Sequence, residues 1–239
     1  MKISVCIPMY NEKSVIAQTA KTLSDYMQSH FDDYEILFCN DGSFDGSDEI
    51  VKSMNLPKVR VIGYKQNRGK GYAVRTAMLE ATGDVRLFTD ADLAYGTDVI
   101  AQFTSYFEQN PDVDVLIGSR NLTKDGYEGY HWFRRVASKI YIRVLCLAGG
   151  FHLSDSQCGC KAFSKKAVEN VFSRCVVNGF AFDFEAILWA VKYGYRIDEI
   201  PVRVIHHGTS KVRVLRDTFR MLRDLRKMRK RIGKAEIKS

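Results

Sequence analysis

The sequence lacks any apolar stretch that approaches the roughly 20 residues needed to cross a bilayer. Its first residues, MKISVCIPMYNE, turn polar after one short apolar run, so they do not resemble a signal peptide. An internal repeat and a low-complexity linker are also absent. These absences predict one continuous domain that stays in the cytosol, and a hydrophobic fraction of 46% can fill its core.

Several familiar site patterns are missing as well. The stretch KQNRGKGYAV (65–74) matches neither the P-loop nor the dinucleotide-binding pattern, and no nucleophile elbow supports a Ser-His-Asp or Cys-His site. Cys158 and Cys160 with His206 and His207 have the wrong spacing for a common closed zinc site. The six scattered cysteines predict reduced, partly buried thiols and not a disulfide framework.

Positive charge is concentrated at one end of the chain. The net charge is +8, and residues 211–239 contain twelve basic and three acidic residues, so the preceding residues are close to neutral. This distribution predicts a local electrostatic anchor and not a domain that binds nucleic acid, for which an aromatic stacking pattern is also missing. We therefore divide the chain into a domain at 1–210 and a basic tail at 211–239.

Within this tail, residues 212–232 predict a basic amphipathic helix. Two interpretations stay open: the helix lies on an anionic membrane surface, or it packs on the domain with a solvated basic face. Its predicted apolar face contains Val212, Leu215, Phe219 and Leu222, and its basic face contains Arg216, Arg220, Arg223 and Lys227.

Short apolar runs alternate with segments of helical spacing over the first half of the chain. This pattern predicts an α/β fold with a mostly parallel sheet covered by helices on both faces. Ligands of such sheets bind beyond the carboxyl ends of the strands. The predicted strands are at 3–9, 35–40, 59–64, 85–89 and 114–119, followed by a helix at 130–148, a polar segment at 154–163, a helix at 181–194 and a strand at 196–207.

The stretch LFTDADLAY (87–95) contains two acids directly after a predicted buried strand. Ionised carboxylates at the margin of an apolar sheet lose hydration and need a compensating cation or several donors. Asp90 and Asp92 can both face one hard cation such as Mg²⁺ or Mn²⁺. Alternatively, this segment is a turn in which Asp92 caps the following helix.

The loop NDGSFDGS (40–47) has a similar ambiguity. Asp45 or Ser47 is expected to cap the next helix. Asp41 lies directly at a predicted strand end, where it could accept a hydrogen bond from a nucleobase amide.

The order and spacing of these blocks resemble family 2 glycosyltransferases with the GT-A fold. The resemblance covers residues 3 to about 225. The matching blocks are IPMYNE, NDGS, NRGKGYAVRTA, TDADL and GSR, and then DSQCGCKAF, FAFDFE, EIPVRV and HHGTSKV. The later blocks resemble the polyprenyl-phosphate branch of the family, the dolichyl-phosphate glucosyltransferases and mannosyltransferases. The resemblance implies inverting transfer of a hexose, glucose being preferred, from a nucleotide sugar to a polyprenyl phosphate at the cytosolic membrane face.

The same resemblance implies a role for each matching position. Asp90 and Asp92 would hold Mg²⁺ or Mn²⁺ on the donor diphosphate, and Arg120, Arg134 and Ser138 would grip the acceptor phosphate. A loop with Ser210 and Lys211 would close over the site. The donor would contact Pro8, Tyr10, Glu12, Asp41, Lys70 and Ala91.

Two departures from the pattern matter. Ala94 stands where mannosyltransferases usually carry a glutamine that contacts the metal, as in the glucosyltransferase-like branch. His206 and His207 stand where an arginine often precedes the last block.

The acceptor determines the catalytic groups that the enzyme needs. A phosphate monoester has a second pKa of about 6, so it is largely ionised at neutral pH and needs no strong base. Asp155, Asp183 and Glu185 are candidates for a base or for orienting sugar hydroxyls, although Asp183 and Glu185 could instead brace arginines. The alternatives are a GDP-mannose-dependent enzyme, a transferase to a soluble saccharide and a catalytically idle scaffold that binds sugar nucleotides.

Overall fold

A computed structural model describes residues 1–123, 142–143, 146–147, 149–205 and 225–236 of the chain. Seven strands and six helices with defined bounds are present in these residues. They are β1 (Ile3–Met9), α1 (Ile16–His30), β2 (Tyr34–Asp41), α2 (Ser47–Ser53), β3 (Val59–Tyr64), α3 (Lys70–Glu80), β4 (Val85–Phe88), α4 (Asp98–Gln109), β5 (Val115–Ser119), β6 (Lys161–Ser164), α5 (Lys165–Phe172), α6 (Phe182–Lys192) and β7 (Ile197–Pro201).

The seven strands form one sheet in the order β3-β2-β1-β4-β6-β5-β7. β1 pairs in parallel with β2 and β4, β2 with β3, and β5 with β7, whereas β6 runs antiparallel to β4 and β5. The predicted mostly parallel sheet is therefore confirmed, and so are the first five predicted strands to within one residue at each end.

Helices cover both faces of this sheet. Alternate residues of β1 point to opposite sides: Cys6 packs in the core that contains the apolar residues of α3, α5 and α6. Val5 and Ile7 pack in the second core, which contains those of α1 and α4. Because both faces are covered, the central strands are buried along almost their whole length, which explains their continuous apolar sequences.

The region after residue 150 differs from the prediction in two ways. The predicted polar segment at 154–163 ends in β6, which starts at Lys161. The predicted strand at 196–207 is shorter: β7 ends at Pro201, which pairs with Ser119, the last residue of β5. The strand therefore ends where its partner strand ends, and residues 206–207 lie outside the described residues.

The carboxyl-terminal part of the predicted basic tail packs on the domain. Residues 225–233 are helical, and Leu225, Met228 and Ile232 are buried in the core beside α6. Residues 212–224 lie outside the described part, so a membrane role for the tail stays a prediction. Among the described residues, no helix has the length and apolar character to cross a membrane.

One buried carboxylate lies near the amino ends of the parallel strands. Glu35 in β2 accepts hydrogen bonds from the Ser4 hydroxyl (2.7 Å), the Thr82 amide (2.6 Å) and the Arg60 guanidinium (3.0 Å). Burial raises the pKa of Glu35, but these hydrogen bonds outweigh burial and lower the pKa to about 2. This edge of the sheet is stabilised by an ionised carboxylate.

Candidate active site

The predicted site residues collect at one edge of the sheet. β1, β2, β4 and β5 run in the same direction, so the loops that follow them meet where the chain leaves the sheet. β6 runs the other way, and its first residue therefore lies at the same edge. Lys161 pairs with Phe88, the last residue of β4.

Asp90 and Asp92 lie in a tight turn directly after β4. The Leu93 amide donates to the Asp90 carbonyl (3.0 Å), and the Ala94 amide donates to Asp92 Oδ1 (3.1 Å). The Thr19 hydroxyl of α1 donates to the Ala91 carbonyl at 2.5 Å and anchors the turn from outside. Asp92 does not cap the following helix, because α4 begins only at Asp98.

A lysine from the loop that follows β3 reaches this turn. Lys70, the first residue of α3, donates from Nζ to Asp90 Oδ1 at 2.5 Å, and the two side chains are 25% and 34% exposed. Burial lowers the pKa of Lys70, but the charge of Asp90 and this hydrogen bond outweigh it, so the net shift is upward. Burial and the charge of Asp90 raise the pKa of Asp92. The structure thus brings together three of the predicted residues.

Gly159 packs against the other side of Asp90. A Cβ atom at position 159 would lie 2.5 Å from Asp90 Oδ2, so a larger residue would have to displace the Asp90 carboxylate. The Gly159 amide donates to the Tyr95 hydroxyl at 3.2 Å, and the charges of Arg120 and Asp155 act on Tyr95. Tyr95 therefore lies near both the Asp90 turn and a second charged cluster.

This second cluster is built on Arg120 and Asp155. The Asp155 carboxylate accepts from Arg120 Nε (2.6 Å), Nη2 (2.9 Å) and the backbone amide (3.1 Å), and Asp155 is fully buried. Glu199 of β7 accepts from the amides of Ser154 and Asp155 and fixes that loop. Because Arg120 uses both Asp155 oxygens, the geometry favours a positioning role for Asp155 over that of a base.

Behind the Asp90 turn lies a buried ion pair that the sequence did not reveal. Lys161 Nζ donates to Asp183 Oδ1 and to the Cys158 carbonyl, both at 2.6 Å, and the lysine side chain is 1% exposed. Burial raises the pKa of Asp183, and the charge of Lys161 partly offsets this increase. A lysine between the apolar neighbours Cys160 and Ala162 was the signal, because such a cation needs a buried partner.

The loops after β1 and β2 are joined by hydrogen bonds. The Asn11 amide donates to Ser43 Oγ (3.0 Å), and the Lys13 amide donates to Asp45 Oδ2 (2.9 Å). These bonds hold the segment with Pro8, Tyr10 and Glu12 beside the end of β2. Tyr10 is 39% exposed and meets Phe44 edge to face. The contact of Pro8, Tyr10 and Glu12 with the nucleoside stays a prediction.

Asp41 organises the loop that precedes α3. Its carboxylate accepts from the Tyr64 hydroxyl (2.7 Å), the Asn67 side-chain amide (2.9 Å) and the backbone amides of Arg68 (2.8 Å) and Gly69 (2.9 Å). These bonds hold the segment that places Lys70. Its predicted contact with a nucleobase remains a prediction.

Glu185 is not placed for a role as a base. It is fully buried, accepts from the amides of Val176 (2.9 Å) and Val177 (2.6 Å), and pairs with Arg231. The prediction that it braces an arginine describes this geometry. The predicted acceptor and loop residues Arg134, Ser138, Ser210 and Lys211, together with His206 and His207, lie outside the described residues.

The Asp90 turn has a donor set that fits a divalent metal ion. Two carboxylates at one turn suit Mg²⁺ or Mn²⁺, which take one or two carboxylates together with phosphate oxygens and water. No group of three or more acidic, histidine or cysteine ligands occurs in the described ranges. Phosphate oxygens of a bound substrate and water would complete the ligand set of such an ion.

A mostly parallel sheet with an acidic turn and clustered cations at its carboxyl edge is the architecture of a GT-A glycosyltransferase. The model of the family described as glycosyl transferase family 2 matches residues 4–172. The chain belongs to this family, as its sequence blocks predicted, and it is a glycosyltransferase.

Relatives and solved structures agree with this assignment. The chain is 28% identical over 245 residues to the dolichyl-phosphate beta-glucosyltransferase of Saccharomyces cerevisiae, covering 93% of this chain and 72% of the relative. It is 28% identical to the enzyme of the same name from Dictyostelium discoideum, covering 99% and 77%. Glucosyl-3-phosphoglycerate synthase from Mycobacterium tuberculosis, solved with Mn²⁺, UDP and phosphoglyceric acid, shares the fold with a TM-score of 0.71 at 17% identity, covering 98% of this chain and 80% of that one.

Proposed function

We propose that this protein transfers glucose from UDP-glucose to the phosphate of a polyprenyl phosphate, with inversion at the anomeric carbon. The observation that carries the proposal is the arrangement at the sheet edge, where the Asp90 turn with Lys70 and the Arg120–Asp155 cluster both lie near Tyr95. The names of the two relatives above support the lipid-phosphate acceptor and the glucosyl donor.

In this proposal the Asp90 turn receives the donor diphosphate. A bound Mg²⁺ or Mn²⁺ would offset the negative charge that develops on the leaving nucleotide. Asp90 and Asp92 would hold this ion through their carboxylates. Their turn is fixed by the Ala94 amide, which donates to Asp92, and by the Thr19 hydroxyl of α1, which donates to the Ala91 carbonyl. Lys70 adds a cation on the same side of the turn, where it can approach the diphosphate.

The Arg120–Asp155 cluster would orient the acceptor phosphate. Asp155 fixes one edge of the Arg120 guanidinium, so this cation is held in position before the acceptor arrives. A fixed cation also reduces the repulsion between the acceptor phosphate and the donor diphosphate. Because the acceptor oxygen is already ionised near neutral pH, positioning replaces proton abstraction, and neither Asp155 nor Glu185 has to act as a base.

A polyprenyl acceptor requires access to a membrane surface, and the tail supplies a basic face for it. In residues 225–233 the apolar side is buried, while Arg226, Lys227 and Lys230 are exposed. Each cation near an anionic surface adds about 1 kcal/mol of binding free energy. We infer peripheral attachment at the cytosolic membrane face through the tail, including its predicted extent from 212 to 232.

A parallel transfer assay tests this function. Purified protein with Mg²⁺ and a short polyprenyl phosphate would receive radiolabelled UDP-glucose or GDP-mannose, and label in the lipid phase would be counted. We expect label from UDP-glucose and none with the unphosphorylated polyprenol. Label only from GDP-mannose would contradict UDP-glucose as the donor. Transfer only to free saccharides would contradict polyprenyl phosphate as the acceptor.

A further inference from the structure

The ammonium group of Lys70 occupies part of the acidic turn in the ligand-free protein. Its Nζ lies 2.5 Å from Asp90 Oδ1. Among the residues that the structure describes, no cation forms an ion pair with Asp92. In the described part of the chain, the turn thus holds two carboxylates and one protein cation, and Asp90 is the carboxylate that this cation neutralises.

The backbone around Lys70 is fitted tightly enough to fix this contact. The Gly71 amide donates to the Asn178 carbonyl at 2.8 Å. A Cβ atom at position 71 would lie 2.5 Å from Phe182 Cβ and 2.6 Å from the Val177 carbonyl oxygen, so only glycine permits this approach. The start of α3 is thus pressed against the 177–182 segment, which directs Lys70 toward the Asp90 turn.

Another carboxylate near Lys70, that of Asp183, is already engaged. Asp183 lies close enough for its charge to act on Lys70, but its carboxylate pairs with the buried Lys161 at 2.6 Å. Asp90 is therefore the carboxylate that holds Lys70, and Gly159 confines Asp90 from the opposite side.

We propose that Lys70 is an exchangeable place-holder: its ammonium neutralises Asp90 in the free protein and moves to the donor diphosphate when a divalent cation and the nucleotide bind. This inference rests on the proposed function. A dication alone would have to displace the ammonium from Asp90, and a diphosphate alone would meet the negative charge of Asp92. A dication together with the two negative charges of a nucleotide-sugar diphosphate leaves the net charge of the site unchanged. Metal and nucleotide then each strengthen the binding of the other, and Lys70 contributes to that coupling.

Direct Mn²⁺ binding tests the exchange without measuring catalysis. Free Mn²⁺ would be counted by electron paramagnetic resonance at low ionic strength, with and without UDP, for the wild type and for Lys70→Met, Lys70→Gln and Lys70→Arg. Lys65→Met is the matched control, because Lys65 is an exposed lysine of the same loop. Thermal melting would establish which variants fold. If Lys70→Met does not fold, Lys70→Gln serves as the neutral variant.

The neutral variants are expected to bind Mn²⁺ alone about tenfold more tightly than the wild type, since a hydrogen-bonded charge of this kind competes by about 1.4 kcal/mol. They are also expected to lose most of the UDP-dependent gain. Lys70→Arg and Lys65→Met should match the wild type. Mn²⁺ binding by the neutral variants that is equal to or weaker than that of the wild type would contradict the exchange of Lys70. It would leave the proposed function intact. No Mn²⁺ binding by any protein, even with UDP, would overturn both.

Discussion

Replacing Asp155 with asparagine is expected to destabilise the protein strongly. The Asp155 side chain is fully buried and accepts three hydrogen bonds from Arg120, two from the guanidinium and one from the backbone amide. Asparagine would turn an NH₂ group toward one of these donors and remove the carboxylate charge that pairs with Arg120. The loss is therefore one of charge pairing inside the domain.

The size of this loss follows from burial. Removing one partner of a buried ion pair costs about 3–5 kcal/mol. Arg120 keeps 17% side-chain exposure, so water reaches part of the guanidinium, and the lower value of about 3 kcal/mol applies. For a chain of this length each kcal/mol lowers Tm by about 2–4 °C, which predicts a fall of about 6–12 °C.

Thermal melting and transfer kinetics measure the two consequences. The Asp155→Asn variant should show the lower Tm and a raised KM for the acceptor, since Arg120 loses its orientation. Removing both charges in Asp155→Asn with Arg120→Gln should recover part of the stability, because no buried charge is then left unpaired. Asp25→Asn is the control: its pair with Lys21 is 60% exposed, so Tm should change little.

The opposite pattern would refute this reasoning. If Asp155→Asn melts like the wild type and binds acceptor normally but loses turnover, Asp155 acts in the chemical step. It would then be the base that the sequence suggested and not a positioning residue.

Three further changes have defined outcomes. Glu35→Gln should remove about 3 kcal/mol of stability above pH 4.5, because the lowered pKa of Glu35 contributes stability that is lost as the pH falls from 4.5 to about 2; acid titration of the unfolding free energy measures this. Gly159→Ala should displace Asp90, whose Oδ2 would lie 2.5 Å from the new Cβ, and so weaken Mn²⁺ binding measured by paramagnetic resonance. Replacing Arg226 and Lys230 with glutamine should weaken binding to anionic vesicles in sedimentation by about thirtyfold, which corresponds to about 2 kcal/mol.

Each of these changes has a control or a contradicting result. A Glu35→Gln variant whose deficit persists unchanged at pH 2 would contradict the ionised carboxylate. Gly179→Ala is the control for position 159, because nothing lies within 4 Å of a Cβ at that site. Vesicles of neutral lipid should bind the wild type and the double glutamine variant equally. If the two proteins also bound anionic vesicles equally, the proposed role of the basic face in membrane binding would be contradicted.

The first five strands and the acidic turn were predictable because their signals are local. Strands buried on both faces need continuous apolar residues, and the polar loops after them mark the ligand edge. The position of Asp90 and Asp92 follows from that rule alone.

The pairings that finish the site were not predictable, because they join distant parts of the chain. β6 is short, and it becomes a strand by inserting antiparallel between β4 and β5. Asp155 meets Arg120 across 35 residues, and Glu185 meets Arg231 across 46. Each acid has the same local signature as a catalytic carboxylate, and its partner in the fold is the observation that favours a positioning role.

Transfer to polyprenyl phosphate by the wild type and by Asp92→Asn tests the central claim most directly. Asparagine keeps the oxygen that accepts from the Ala94 amide, so the turn should stay folded while the site loses one charge. With UDP-glucose and Mg²⁺, we expect label in the lipid phase for the wild type. For the variant we expect a transfer rate that is reduced at least about 100-fold. Equal rates, or no label from the wild type, would contradict the account.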